Sequence, residues 1–116
     1  MKKPIALGEF EQIVLLAILR LRTQAYGVSI RTEIGDRTGR EVAPGALYTT
    51  LDRMEDKGLV RSWMGEATSE RGGRSKRYFA VTKAGRESLL RAHQAYESML
   101  DGVDLAGGAH ASSITC

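Results

Sequence analysis

The chain has one cysteine, two prolines and no long apolar run, and each shortage removes a class of protein. A lone cysteine, Cys116 at the C-terminus, closes no internal disulfide, so the fold must rest on its own core and a reducing compartment is expected. The apolar run Ile13 to Leu19 is seven residues long, whereas a bilayer span needs about 20. The start Met1-Lys2-Lys3-Pro4 resembles the basic end of a signal peptide, but Glu9 and Glu11 follow and no cleavage-site pattern does. No membrane association is expected, and the location expected is cytoplasmic. The two histidines, His93 and His110, have no cysteine or carboxylate at metal-ligand spacing, and there is no glycine-rich phosphate loop or nucleophile motif. Neither catalysis, nor a metal, nor a cofactor is expected.

What is present suits one soluble domain. At 116 residues, 42% hydrophobic and 27% charged, the chain can bury a core without staples and has no room for a second domain. Its net charge is only +3, but it is unevenly placed. From Thr68 to Arg86 there are six basic residues (Arg71, Arg74, Lys76, Arg77, Lys83, Arg86) and one acid, Glu70, so this stretch carries +5 and the remainder −2. Such a concentration suits a phosphate backbone.

Periodicity assigns the elements. From Gly8, the residues Phe10, Ile13, Val14, Ala17, Ile18 and Leu21 recur at three and four, while Leu15, Leu16 and Leu19 widen the face into a helix buried on more than one side. A second helix is predicted from Tyr26-Gly27 to about Thr38, with Gly39 as its stop; Gly35 inside it implies either close packing or an early end. Pro44 starts a third helix through Lys57, preceded by Ala43, a poor N-cap, and stopped by Gly58. In it Leu47, Leu51 and Met54 form one apolar stripe, and Gly45, Ala46, Thr49 and Arg53 fall on the far side. That far side is small, polar and cationic, a surface fit to enter DNA's major groove. Extended runs at Leu59–Met64 and Lys76–Thr82 then flank a polar, glycine-rich tip, 65–75, and Thr82 caps a last helix to about Leu100. Trp63 is expected to pack on the hairpin, and at most one of Tyr78 and Phe79, on opposite strand faces, to be fully buried.

A helix followed at once by a basic hairpin is the layout of a winged helix-turn-helix. The expected fold is mainly α with a small β-hairpin, divided as an N-terminal arm 1–7, a winged helix-turn-helix DNA-binding domain 8–82, a C-terminal dimerisation helix 83–101 and a flexible tail 102–116. Leu89, Ala92, Tyr96, Met99 and Val103 keep one seam along the last helix, with little chain left to cover it. A homodimer is expected through that seam and the first helix, with His93 at or near it. Thr49 and Arg53 are the candidates for base edges, Tyr48 and Thr50 for phosphate oxygens, and Arg71, Arg74, Lys76 and Arg77 for the backbone or the adjacent minor groove. Asp52, Glu55 and Asp56 on the third helix should face away from DNA or orient the arginine.

Three runs resemble the PadR family of bacterial transcriptional regulators: Tyr26 to Ile30, Gly45 to Val60 with its Leu-Tyr-x-x-Leu helix, and Arg71 to Gly85 with its Arg-Tyr-aromatic strand and Thr-x-x-Gly helix start. The resemblance spans about Leu7 to Leu100 and, by size, points to the short subgroup with a single C-terminal helix. It implies a dimeric regulator, most often a repressor, binding double-stranded DNA at a pseudo-palindromic operator. It also strengthens the assignment of Tyr48 to DNA contact. Some members bind flat hydrophobic effectors between the last and first helices; Tyr96 and Met99 are the residues here that such an effector would meet, although no tryptophan lies on that helix. Ala43 departs from the family, which often has Ser or Thr there. A competing reading is a winged-helix protein-interaction module that docks a protein on the Leu/Met/Tyr helix surface without reading DNA; the +5 cluster argues against it.

Overall fold

A computed structural model describes residues 6–66 and 75–107. The order is α1 (Glu9–Leu21), a 3-10 turn (Arg22–Gln24), α2 (Gly27–Thr38), α3 (Pro44–Asp56), β1 (Val60–Met64), β2 (Arg77–Val81) and α4 (Lys83–Leu100). The fold is mainly α with one antiparallel hairpin, a winged helix-turn-helix followed by a long C-terminal helix. Arg71 and Arg74 at the tip, and His110 and Cys116 in the tail, lie outside the described residues.

α1 is the central support. Glu11 reaches back to accept from the Gly8 N–H at 2.9 Å, fixing the first turn, and Val14, Leu15, Ala17 and Ile18 are buried. Around them close Ile30 and Ile34 of α2, Leu47, Leu51 and Met54 of α3, and Leu59, Val60 and Phe79 of the hairpin, all in one core. Burying a side chain of this size stabilises by roughly 1.5–3 kcal/mol, so α3 is fixed by three such anchors along one stripe. Phe79 is the buried one of the two strand aromatics, while Tyr78 on the opposite face is half-buried.

The glycine stops behave as expected: Gly39, next after α2, and Gly58, one residue past the Lys57 cap of α3, take φ of 74° and 78°. α2 runs through Gly35, where an added Cβ would come no nearer than 3.7 Å to the Arg40 carbonyl. Neither an early end nor tight packing accounts for that glycine. Ala43 makes no side-chain cap on α3, and Thr82 caps α4 by accepting from the Gly85 N–H at 3.0 Å.

In the hairpin Val60 pairs with Val81 and Met64 with Arg77. An edge forms beside it, because the Phe79 N–H donates to the Ala25 carbonyl at 2.9 Å and Tyr26 bridges Tyr78. The entry to α2 is thereby tied to the base of the wing. Its first turn is held by Ser29, whose hydroxyl accepts from the Tyr26 N–H at 3.0 Å and donates to the Gln24 carbonyl at 2.6 Å.

Among the described residues, no helix is long and apolar enough to cross a membrane, and no group of three or more His, Cys, Asp or Glu side chains could hold a metal ion.

Candidate nucleic-acid interface

With its stripe buried, α3 presents Gly45, Ala46, Thr49 and Arg53 to solvent as one open face. Among the described residues, nothing lies within 4 Å of where a Cβ on Gly45 would stand, so the helix's first turn is free to approach a surface closely. Thr50 is a correction: it is only 8% exposed, because the apolar stripe is wide enough to take in its neighbour on the Met54 side. It belongs to the packing of α3 and not to its outer face.

Tyr48 is 37% exposed, and its ring end rests on Gly27 at the start of α2; a Cβ there would collide with the phenol. The glycine of the Tyr26-Gly27 pair therefore makes room for a side chain from α3. This positions the Tyr48 hydroxyl at the seam between the two helices of the helix-turn-helix.

The basic residues divide into two kinds. Lys76 lies over the Tyr26 ring at 4.4 Å, and the Gly65 N–H donates to its carbonyl at 2.7 Å, so the cation stands exposed at the wing's edge on a fixed backbone. Arg77, expected to meet phosphates, turns inward instead. Its Nη1 donates to Asp52 at 3.1 Å, its Nη2 to Glu55 at 2.7 Å and its Nε to the Ser62 hydroxyl oxygen at 3.2 Å. Arg77 faces α3 because it shares a strand face with the buried Phe79. Burial works against its charge, but the hydrogen bonds to Glu55 and Asp52 outweigh it and hold the guanidinium above its ordinary value. Arg31, Arg37 and Arg40 are likewise engaged, with the Val42 carbonyl, Glu33 and Glu9 respectively.

Arg61 is a functional candidate that the charge count does not single out. It lies 4.8 Å from the centroid of the Trp63 ring, which is itself 39% exposed and stacked on Tyr78. The signal was present in the spacing: residues 61 and 63 share a strand face, and 78 pairs with 63. Tyr26 completes this face by meeting Tyr78 edge-on at 5.5 Å.

The chain matches the model of the Transcriptional regulator PadR-like family over residues 15–91. It belongs to that family. A PadR-like chain is thus a transcriptional regulator. Its similarity extends to the transcriptional regulator Rv3488 of Mycobacterium tuberculosis, 34% identical over 87 residues, covering 75% of this chain and 76% of that one. Two solved PadR-family structures share the fold. One from Clostridium difficile R20291 is 24% identical with a TM-score of 0.65, covering 79% of this chain and 92% of the other. One from Eggerthella lenta DSM 2243 is 25% identical with a TM-score of 0.63, covering 81% of each.

The PadR-like fold leaves α4 largely uncovered. Leu89 packs against the core and Ala92 is half-buried, but Leu90, Tyr96 and Met99 are exposed, Met99 at 80%. Val103 corrects the expected seam: α4 stops at Leu100, so Val103 sits beyond the helix and outside its periodicity. A cleft of about 630 Å³ lies between α1 and α4, lined by Gln12, Leu16, Leu19, Arg86, Leu89, Leu90, His93 and Tyr96. Of the two residues expected to meet an effector, Tyr96 lines it and Met99 does not.

Proposed function

We propose that this PadR-like chain is a sequence-specific DNA-binding regulator, acting as a repressor, whose homodimer sets one α3 in each of two major grooves of a pseudo-palindromic operator. The observation that carries the reading is the open face of α3: Thr49 and Arg53 stand exposed on a helix whose other side is anchored by Leu47, Leu51 and Met54. Among the described residues Arg53 has no ion pair, and an arginine so placed can take both major-groove acceptors of a guanine. Gly45 and Ala46 let the backbone approach, and Tyr48 reaches a phosphate from the α2 seam. The wing, with Lys76 and the tip residues Arg71 and Arg74, follows the backbone beside the groove.

The dimer forms through the apolar face of α4, with Leu89, Ala92, Tyr96 and Met99, and the facing side of α1. Part of that surface stays uncovered in a single chain: Tyr96 and Met99 are exposed, and Leu16 on α1 and Leu90 on α4 are exposed apolar residues facing one cleft. Two-fold symmetry then sets the half-sites about one helical turn apart. The α1–α4 cleft, with Tyr96 in its wall, is the place for a small hydrophobic effector.

Fluorescence anisotropy with a duplex that the protein itself selects from a randomised library, as its operator, and with a random duplex tests the assignment. Arg53→Ala should cost about 1–3 kcal/mol on the operator and little on random DNA. Equal losses on both duplexes would remove Arg53 from base recognition.

A further inference from the structure

The helix assigned to the groove carries an unfavourable charge for the task. α3 has one cation, Arg53, and three acids, Asp52, Glu55 and Asp56, a net −2 on the element meant to approach a polyanion. The two acids nearest the wing do not stand alone. Arg77 reaches them from β2 with one guanidinium terminus on each, at 3.1 Å and 2.7 Å. The Ser62 hydroxyl, which Arg77 Nε also meets, donates to Glu55 at 2.9 Å. Every nitrogen of the guanidinium thus makes a hydrogen bond inside the protein, and the group is two-thirds buried.

We propose that Arg77 is a positioning residue, an internal counter-ion that cancels Asp52 and Glu55 and ties the base of the wing to α3, and that it contacts no phosphate. This rests on the DNA-binding reading above. A planar fork can hold two carboxylates at a fixed separation, as a lysine ammonium cannot. Arg77 is adjacent to Lys76, so the same bond that removes negative charge from the flank of α3 also sets where the wing's exposed cation stands. Without it, two carboxylates would stand uncompensated close to the phosphates on either side of the groove, where each opposes docking.

A charge-neutralisation cycle separates this role from direct contact. Anisotropy in low salt, with a labelled mixed-sequence duplex of about 30 base pairs, compares wild type, Arg77→Gln, Asp52→Asn/Glu55→Gln and the triple variant. Melting by circular dichroism reports that each is folded. Arg77→Gln should weaken binding roughly 10–100-fold on its own but less than about threefold when Asp52 and Glu55 are already neutral. Should Arg77→Gln not fold alone, the comparison of the triple with Asp52→Asn/Glu55→Gln carries the decision, since neither leaves an uncompensated carboxylate in this network. A loss of the same size in both backgrounds, with the salt slope reduced by about 0.9, would mark a phosphate contact and overturn the proposal. Wild type failing to bind any duplex would instead remove the DNA-binding reading itself, and this inference with it.

Discussion

Two glycines sit under other parts of the chain, and replacing each with alanine should have different consequences, a loss of stability at Gly85 and a loss of DNA affinity at Gly27. Gly85 is the third residue of α4, where an alanine would ordinarily gain about 1 kcal/mol in helix propensity. Here the new Cβ would run into the Leu59 carbonyl oxygen and stand 2.8 Å from Val81 Cγ1. The Leu59 carbonyl cannot give way, because it accepts from the Thr82 N–H at 3.0 Å and continues into β1. The start of α4 must therefore lift off the hairpin. Overpacking of this kind costs about 1–3 kcal/mol, and since the propensity gain is realised only if the helix keeps its place, a net loss of about 1–2 kcal/mol is expected. That lowers the melting temperature by roughly 4–8 °C in a domain of this size. At Gly27 the collision is with the far end of Tyr48, a half-exposed ring that can swing into solvent. Gly27→Ala should melt within about 2 °C of wild type while losing DNA affinity through a displaced Tyr48. Melting curves at one protein concentration compare the two variants. A Gly85→Ala protein as stable as wild type, or more so, would refute the argument that a backbone collision outweighs propensity.

Three other outcomes follow from the packing. Glu33 accepts from Arg37 at 2.7 Å and from Arg20 at 2.9 Å, and those hydrogen bonds hold its carboxyl below the ordinary value of 4.5. A lowered folded value means the stabilisation is complete above pH 4.5 and is lost as pH falls through the folded value. Glu33→Gln should therefore melt below wild type at neutral pH, with the gap closing on acidification; a gap that persists into acid would contradict this. Met99→Glu, at an exposed apolar position of α4, should shift the protein from dimer to monomer in sedimentation without lowering helix content, whereas an unchanged dimer would place the interface elsewhere. Leu51→Ala, in the buried stripe of α3, should cost roughly 2–5 kcal/mol in denaturant unfolding.

The fold was legible because its punctuation is local. Pro44 at the start of α3, Gly39 and Gly58 beyond their helices, and Thr82 as a cap each act within a few residues. The stripe Leu47, Leu51, Met54 is equally visible, since one helix face needs only one period. What misled is of longer range. Thr50 sits at the border of that stripe, and no sequence period says how far the neighbouring elements close over it. In the sequence Arg77 reads as free charge, because its partners lie 25 and 22 positions earlier, on a different element. The same distance hides why Gly27 and Gly85 are glycines: the atoms they accommodate belong to Tyr48 and Leu59. Only Arg61 was recoverable, from its place two residues before Trp63.

The most direct measurement is a map of backbone amide NMR shifts as a duplex bearing the operator is added to the full chain. The largest changes are expected at Gly45, Ala46, Tyr48, Thr49 and Arg53, with Lys76 following and the buried residues of α1 nearly still. Changes confined to α4 and the α1–α4 cleft, with α3 unmoved, would contradict α3 as the DNA-reading helix.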